Sequence, residues 1–150
     1  MTDFDLSTVS SVEPAQFAQL VRSTPDGKIA EAMRGEQRTA ILDEIIGRFP
    51  ALFRPDKAGQ TNAVLQWDIT GRSDGGVDTY QVIIENGTCT TAAGADRDPR
   101  LTVTLGGVEF IKMCGGAANP MMMFMTGKLK AKGDLGLAAN LANLFDLPRS

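Results

Sequence analysis

Proton transfer in this chain has to come from a carboxylate or a phenol. None of its 150 residues is a histidine, which removes the commonest general base, the usual activator of a nucleophile and the most frequent zinc ligand. Asp68, Tyr80 and Glu85 are left to serve as acid or base. Cys89 and Cys114 stand far apart with no CxxC spacing and read as small hydrophobes of a reduced chain. Asp74, Asp78, Asp96 and Asp98 sit in turn-like, solvated segments and lack the offsets of a calcium loop. Gly75-Gly76 and Gly106-Gly107 are turn elements outside any phosphate-binding context. What the chain does concentrate is apolar contact. Four methionines and a phenylalanine fill positions 121 to 125. Methionine is unbranched and polarizable and re-packs around different shapes, so this run is either a gap-filled helix core or a wall facing a variable apolar ligand.

The remaining composition sets the frame for these residues. A chain of this length forms one domain and buries a core without staples. A hydrophobic fraction of 43% and a charged fraction of 22% are ordinary for a globular protein. The net charge of -3, with no basic patch interleaved with aromatics, argues against nucleic acid as a partner. The segment MTDFDLSTVSSVEP lacks the regions of a signal peptide. No window approaches the ~20 apolar residues of a membrane span, and Leu147 to Ser150 is not a peroxisomal address. A soluble, cytoplasmic protein is expected.

Periodicity places the elements. After a polar tail of about 13 residues, Phe17, Leu20 and Val21 share one side of a short helix. Thr24-Pro25-Asp26 predicts a second start, with threonine as cap. Ile29 and Met33, then Ile41, Leu42, Ile45, Ile46 and Phe49, keep helical spacing until Phe49-Pro50 ends the run, and Gly35 divides it. The period then becomes two. Leu65, Trp67 and Ile69 alternate with polar residues, as do Tyr80, Val82 and Ile84, and Asn86-Gly87 is a hairpin turn. Residues 88 to 93 make a third strand and Leu101, Val103 and Leu105 a fourth. The first three strands predict an antiparallel meander with one buried face. Helical spacing returns at Val108, Phe110, Ile111 and Cys114, and Asn119-Pro120 opens a short helix through the methionines. Lys128 to Lys132 alternates as a fifth strand. Asp134 caps a last helix with Leu137, Leu141, Leu144 and Phe145 in a stripe. The order predicts an α+β domain with a five-stranded sheet covered on one face by helices.

This order of elements, and above all the tail, resembles the sterol carrier protein 2 family. Phe110 to Gly115, Asn119-Pro120, Phe124, Gly127-Lys128-Leu129-Lys130 and Gly133-Asp134-Leu135-Gly136-Leu137-Ala138 carry the resemblance. Trp67-Asp68-Ile69-Thr70-Gly71, Tyr80 and Glu85-Asn86-Gly87 fit the family's first hairpin. The resemblance runs over about residues 28 to 145 and implies an apolar tunnel between sheet and helices. It also implies binding of sterols, fatty acids or fatty acyl-CoA without chemistry on them. Residues 1–27 are then a tail with a short helix and 28–147 the lipid-binding domain. Ala142 stands where members often place a polar residue, so ligand preference does not transfer.

The expected ligand-binding residues follow. From the strands they are Trp67, Ile69, Tyr80, Val82, Ile84, Leu101, Val103 and Leu105. From the helices they are Phe110, Met113, Met121, Met122, Phe124, Met125, Leu141, Leu144 and Phe145, the last three in a movable lid. No catalytic residue, metal ligand or cofactor is expected. Lys128, Lys130 and Lys132 either discourage edge pairing on a solvated strand or meet an anionic membrane surface or CoA phosphate, with Lys112 able to join them. Burying about 300 Å² of lipid is worth roughly 7 to 8 kcal/mol, against association costs of about 4 kcal/mol or more, so affinity should be modest and broad. The leading function is non-catalytic binding and transfer of apolar ligands. The alternatives are an enzyme built around the tunnel and an accessory or protein-interaction module.

Overall fold

Alternation of apolar and polar residues, carried through five segments, assembles one sheet. The structure is a computed structural model that describes residues 14–118, 120–139 and 144–145. β1 (Ala63–Thr70) pairs antiparallel with β2 (Asp78–Glu85), Trp67 lying opposite Tyr80. β2 turns at Asn86 and Gly87, whose φ values of 52° and 75° suit the mirror-image turn that matches strand twist, into β3 (Thr88–Ala93). β4 (Leu101–Gly106) pairs parallel with β1, and β5 (Leu129–Gly133) pairs antiparallel with β4, so the order is β3-β2-β1-β4-β5. The three-strand meander is as expected. The return of the fourth strand to the far side of the first is a feature that alternation does not foretell. The link from β3 to β4 is tied across β2 by Gln81, whose amide donates to the Arg97 carbonyl at 2.7 Å and accepts from the Arg97 N–H at 3.2 Å.

Helices cover one sheet face. They are α1 (Pro14–Ser23), α2 (Asp26–Arg34), α3 (Arg38–Ile46), the single turns α4 (Phe49–Leu52) and α5 (Pro55–Ala58), α6 (Gly107–Cys114), α7 (Pro120–Met125) and α8 (Leu135–Ala139). Phe17, Leu20 and Val21 of α1 enter the same core as the strand residues, and Lys28, where the domain was expected to begin, lies inside α2. Three local expectations change. Thr24 does not cap α2; its hydroxyl donates back to the Leu20 carbonyl at 2.6 Å, closing α1. Pro50 does not end a helix but sits in the first turn of α4, where its missing N–H costs nothing. Lys128 precedes β5 rather than opening it. The tail before Pro14, together with Asn119, Leu141 and Ala142, lies outside the described residues. No described helix is long and apolar enough to cross a membrane.

Candidate functional site

Period-two geometry turns Leu65, Trp67, Ile69, Tyr80, Val82, Ile84, Leu101, Val103 and Leu105 toward the helices, and all are buried. Phe110 and Met113 of α6 close over them, also buried. The contacts at the centre are aromatic. Trp67 meets Phe49 at 5.9 Å and Phe110 at 5.5 Å, both edge-on, and Phe49 meets Phe145 at 5.1 Å. Four aromatic side chains thus converge between the layers, from β1, α4, α6 and the C-terminal segment. Phe49 is the member of this cluster that sequence reasoning assigned to helix packing alone. Its proximity to Trp67 depends on the turn at Gly47, which no periodicity reports.

Leu144 and Phe145 are buried as well. The Arg54 N–H donates to the Leu144 carbonyl at 2.8 Å, and Phe145 bridges to Phe53. These contacts pin the expected lid to the segment after α4. Leu137, earlier in the same stripe, is buried, while Leu141 is not described.

The described part of the methionine run is mostly exposed. Met122, Phe124 and Met125 are 58%, 42% and 72% exposed, whereas Met123, omitted from the expected set, is 5% exposed. The side chain of Met121 is not described. A six-residue helix that is apolar all round carries no polar face to show which side turns inward, so no sequence signal could have singled out Met123. Lys128, Lys130 and Lys132 follow directly and are exposed. Lys130 and Lys132 pair with Thr104 and Thr102, on the sheet face away from the helices. Lys112 does not join them, because it is ion-paired with Asp26 at 3.2 Å.

The groups able to move protons are held elsewhere. Asp68 lies on the outer sheet face and accepts from Thr79 and Gln66. Glu85 is paired with Arg97 at the surface. The Tyr80 hydroxyl donates to Asp43 at 2.8 Å, and burial together with that carboxylate pushes its ionisation far above the ordinary range. Burial raises the Cys89 thiol to about 11 and raises Cys114 further, which disfavours the nucleophilic thiolate. Among the described residues no three acidic, histidine or cysteine side chains gather as a metal cluster. Two of the aspartates expected in turns have structural partners: Asp74 accepts from the Gly76 N–H and from Arg72, and Asp78, which opens β2, is paired with buried Arg38 at 2.7 Å. Arg38 also donates to the carbonyls of Met33, Ile69 and Thr70, tying α2 and α3 to the ends of β1 and β2. A recess of about 340 Å³ at one end of β1 and β2 is lined mainly by Asn62, Glu85, Asn86, Arg97, Asp98 and Arg100, a polar surface unlike the interior.

Gly133-Asp134, the most recognisable pair of the tail, is structural. Gly133 has φ 112°, and a Cβ there would strike the Arg100 carbonyl. Asp134 caps α8 through the Leu137 N–H at 3.0 Å and pairs with Arg100 at 2.9 Å. The N–H of Leu137 and the Arg100 guanidinium hold its carboxyl below the usual range.

The model of the SCP-2 sterol transfer family matches residues 43–146, which takes in this whole sheet and the helices from the second half of α3 onward. The chain belongs to that family. Hydroxysteroid dehydrogenase-like protein 2 of Xenopus tropicalis is 28% identical over 119 residues, 79% of this chain but 28% of that protein. The chain thus spans little more than a quarter of the first curated relatives it matches. The crystal structure of sterol carrier protein 2 like 2 from Aedes aegypti is 25% identical with a TM-score of 0.56, covering 71% of this chain and 94% of that one. The solution structure of palmitated SCP2L2 from Aedes aegypti is 26% identical with a TM-score of 0.53, covering 68% and 87%. The SCP-2 fold is therefore shared: an α+β domain on a five-stranded mixed sheet.

Proposed function

We propose that the chain is a cytoplasmic carrier module that holds an apolar molecule between sheet and helices and passes it to a membrane or an enzyme unaltered. One observation carries the reading. The face enclosed by the helices is apolar from Leu65 to Leu105, while Asp68 and Glu85 lie outside it and Tyr80 is committed to Asp43. Membership of the SCP-2 family and the palmitated relative support an acyl or sterol-like cargo: fatty acid, fatty acyl-CoA or a sterol-like molecule.

The geometry suggests how cargo enters. Phe145 seals the aromatic cluster, so admission requires the C-terminal segment to swing out, breaking the Arg54–Leu144 hydrogen bond and parting Phe145 from Phe49 and Phe53. Trp67, Ile69, Tyr80, Val82, Ile84, Leu101, Val103, Leu105, Phe110 and Met113 then line the space. Leu141, Leu144 and Phe145 act as lid, and Met121, Met122, Phe124 and Met125 as rim. The exposed apolar side chains of α7, followed by Lys128, Lys130 and Lys132, face an anionic membrane surface during exchange. Each lysine contributes at most about 1 kcal/mol near such a surface.

Displacement of a fluorescent fatty acid by unlabelled lipids tests the carrier reading. Saturable binding, broad across apolar ligands, with the ligand recovered intact is expected; absence of saturable binding, turnover by the protein alone, or a ten-thousandfold preference among close analogues contradicts it. Reversing all three lysine charges should weaken association with anionic vesicles and leave neutral vesicles unaffected. The length of the dehydrogenase-like relatives favours a second setting, in which the module delivers substrate to an enzyme acting on an apolar metabolite. Stimulation of such an enzyme by the loaded carrier tests that setting.

A further inference from the structure

The centre of the site contains a donor with nothing to bond. Trp67 is 1% exposed, on the middle strand of the sheet, yet its Nε1–H is the one buried side-chain polar atom without a partner among the described residues. The other buried polar side chains are satisfied: Thr24 by the Leu20 carbonyl, Arg38 by Asp78 and three carbonyls, Gln81 by Gln66 and Arg97. Around the indole stand Phe49, Phe110, Val103 and Tyr80. The first three offer no acceptor oxygen from their side chains, and the Tyr80 hydroxyl is directed to Asp43. Indole nitrogen donates only, and burying it unpaired costs its full desolvation. A phenylalanine at this position would fill a dry core without that cost, and native interiors leave few such groups unmatched.

We infer that the Trp67 indole N–H is the polar anchor of the site and that it selects cargo carrying a neutral acceptor oxygen. The inference rests on the carrier reading and adds the chemistry of the group at the deep end of the cargo. An ionised carboxylate does not fit beside Trp67. The one buried cation among the described residues, Arg38, is already bound to Asp78, and a charge placed in an apolar interior without a counter-charge is strongly disfavoured. A hydroxyl, ketone or ester carbonyl satisfies the N–H with no charge to compensate. The class is an apolar molecule with one uncharged oxygen, and an ionised acid binds with its carboxylate turned toward the mouth.

The chain has a single tryptophan, so a proton–nitrogen correlation spectrum gives one indole peak that needs no assignment. Dodecanol, methyl laurate, dodecane and ionised laurate are matched probes. Dodecanol and methyl laurate should move the indole proton downfield, and dodecane and laurate should not. In wild type, dodecanol should compete against dodecane about tenfold better than in Trp67→Phe, the size of effect one buried hydrogen bond gives. If Trp67→Phe does not fold, the wild-type spectrum still decides. Probes that bind without moving the indole peak overturn the inference and leave the carrier reading standing. So does a peak already shifted by buried water and insensitive to every probe. Laurate moving it as far as dodecanol refutes the preference for uncharged oxygen. No binding by any probe takes both readings down.

Discussion

Replacing Arg38 with methionine keeps most of the apolar stem but strips Asp78 of its close ion pair and three carbonyls of their donor. Breaking a buried pair by removing one partner costs about 3 kcal/mol or more, and chemical denaturation should show a loss of that order; a loss below about 1 kcal/mol would mean that water replaces the guanidinium. The role of Arg38 was invisible in the sequence because its carboxylate partner lies 40 residues away. Asp134 was legible, since a cap and its N–H are three residues apart. Its carboxyl is held below the ordinary range, first by the Leu137 N–H and then by Arg100. A group with a depressed folded value contributes stability above its unfolded value of about 3.9, and that contribution disappears as pH falls through the folded value. Asp134→Asn retains a good cap but loses the charge. The variant should therefore be less stable than wild type at neutral pH, with the gap closing in acid; a gap independent of pH would show that the charge is immaterial.

At the scale of elements, α7 separates packing from surface contact within one run of like residues. Met123→Ala should cost about 2 kcal/mol or more in thermal or denaturant unfolding, the range for buried methionine, whereas Met125→Ser should change stability by less than about 0.5 kcal/mol while weakening vesicle association. Equal losses for the two would contradict the inward placement of Met123. The strands themselves were legible because alternation reports which side chains share a face. It does not report which strand lies beside which. The parallel pairing of β4 with β1 arises from a link anchored by Gln81 to Arg97, and an amide buried by a passing loop looks in sequence like any outward polar residue. The reach of Phe49 to Trp67 was hidden for the same reason: it depends on the path of a turn, and turns leave no periodic trace.

For the whole molecule, the core does not stop at the segment that the family model covers. Phe17, Leu20 and Val21 of α1 pack into it, and Gly115 is small because a Cβ there would come within 2.7 Å of Val21. Each such side chain is worth about 1.5–3 kcal/mol when buried. A chain beginning at Lys28 should therefore melt more than about 10 °C lower, as calorimetry would register; an unchanged melting point would make α1 an appendage. One last consequence concerns the two borders of the sheet, which are guarded unequally. β5 presents Lys130 and Lys132, and an incoming strand meets their charge. β3 is Thr-Cys-Thr-Thr-Ala-Ala, mostly exposed and without a charge or a proline, so its open backbone is the place where concentrated protein would template its own aggregation.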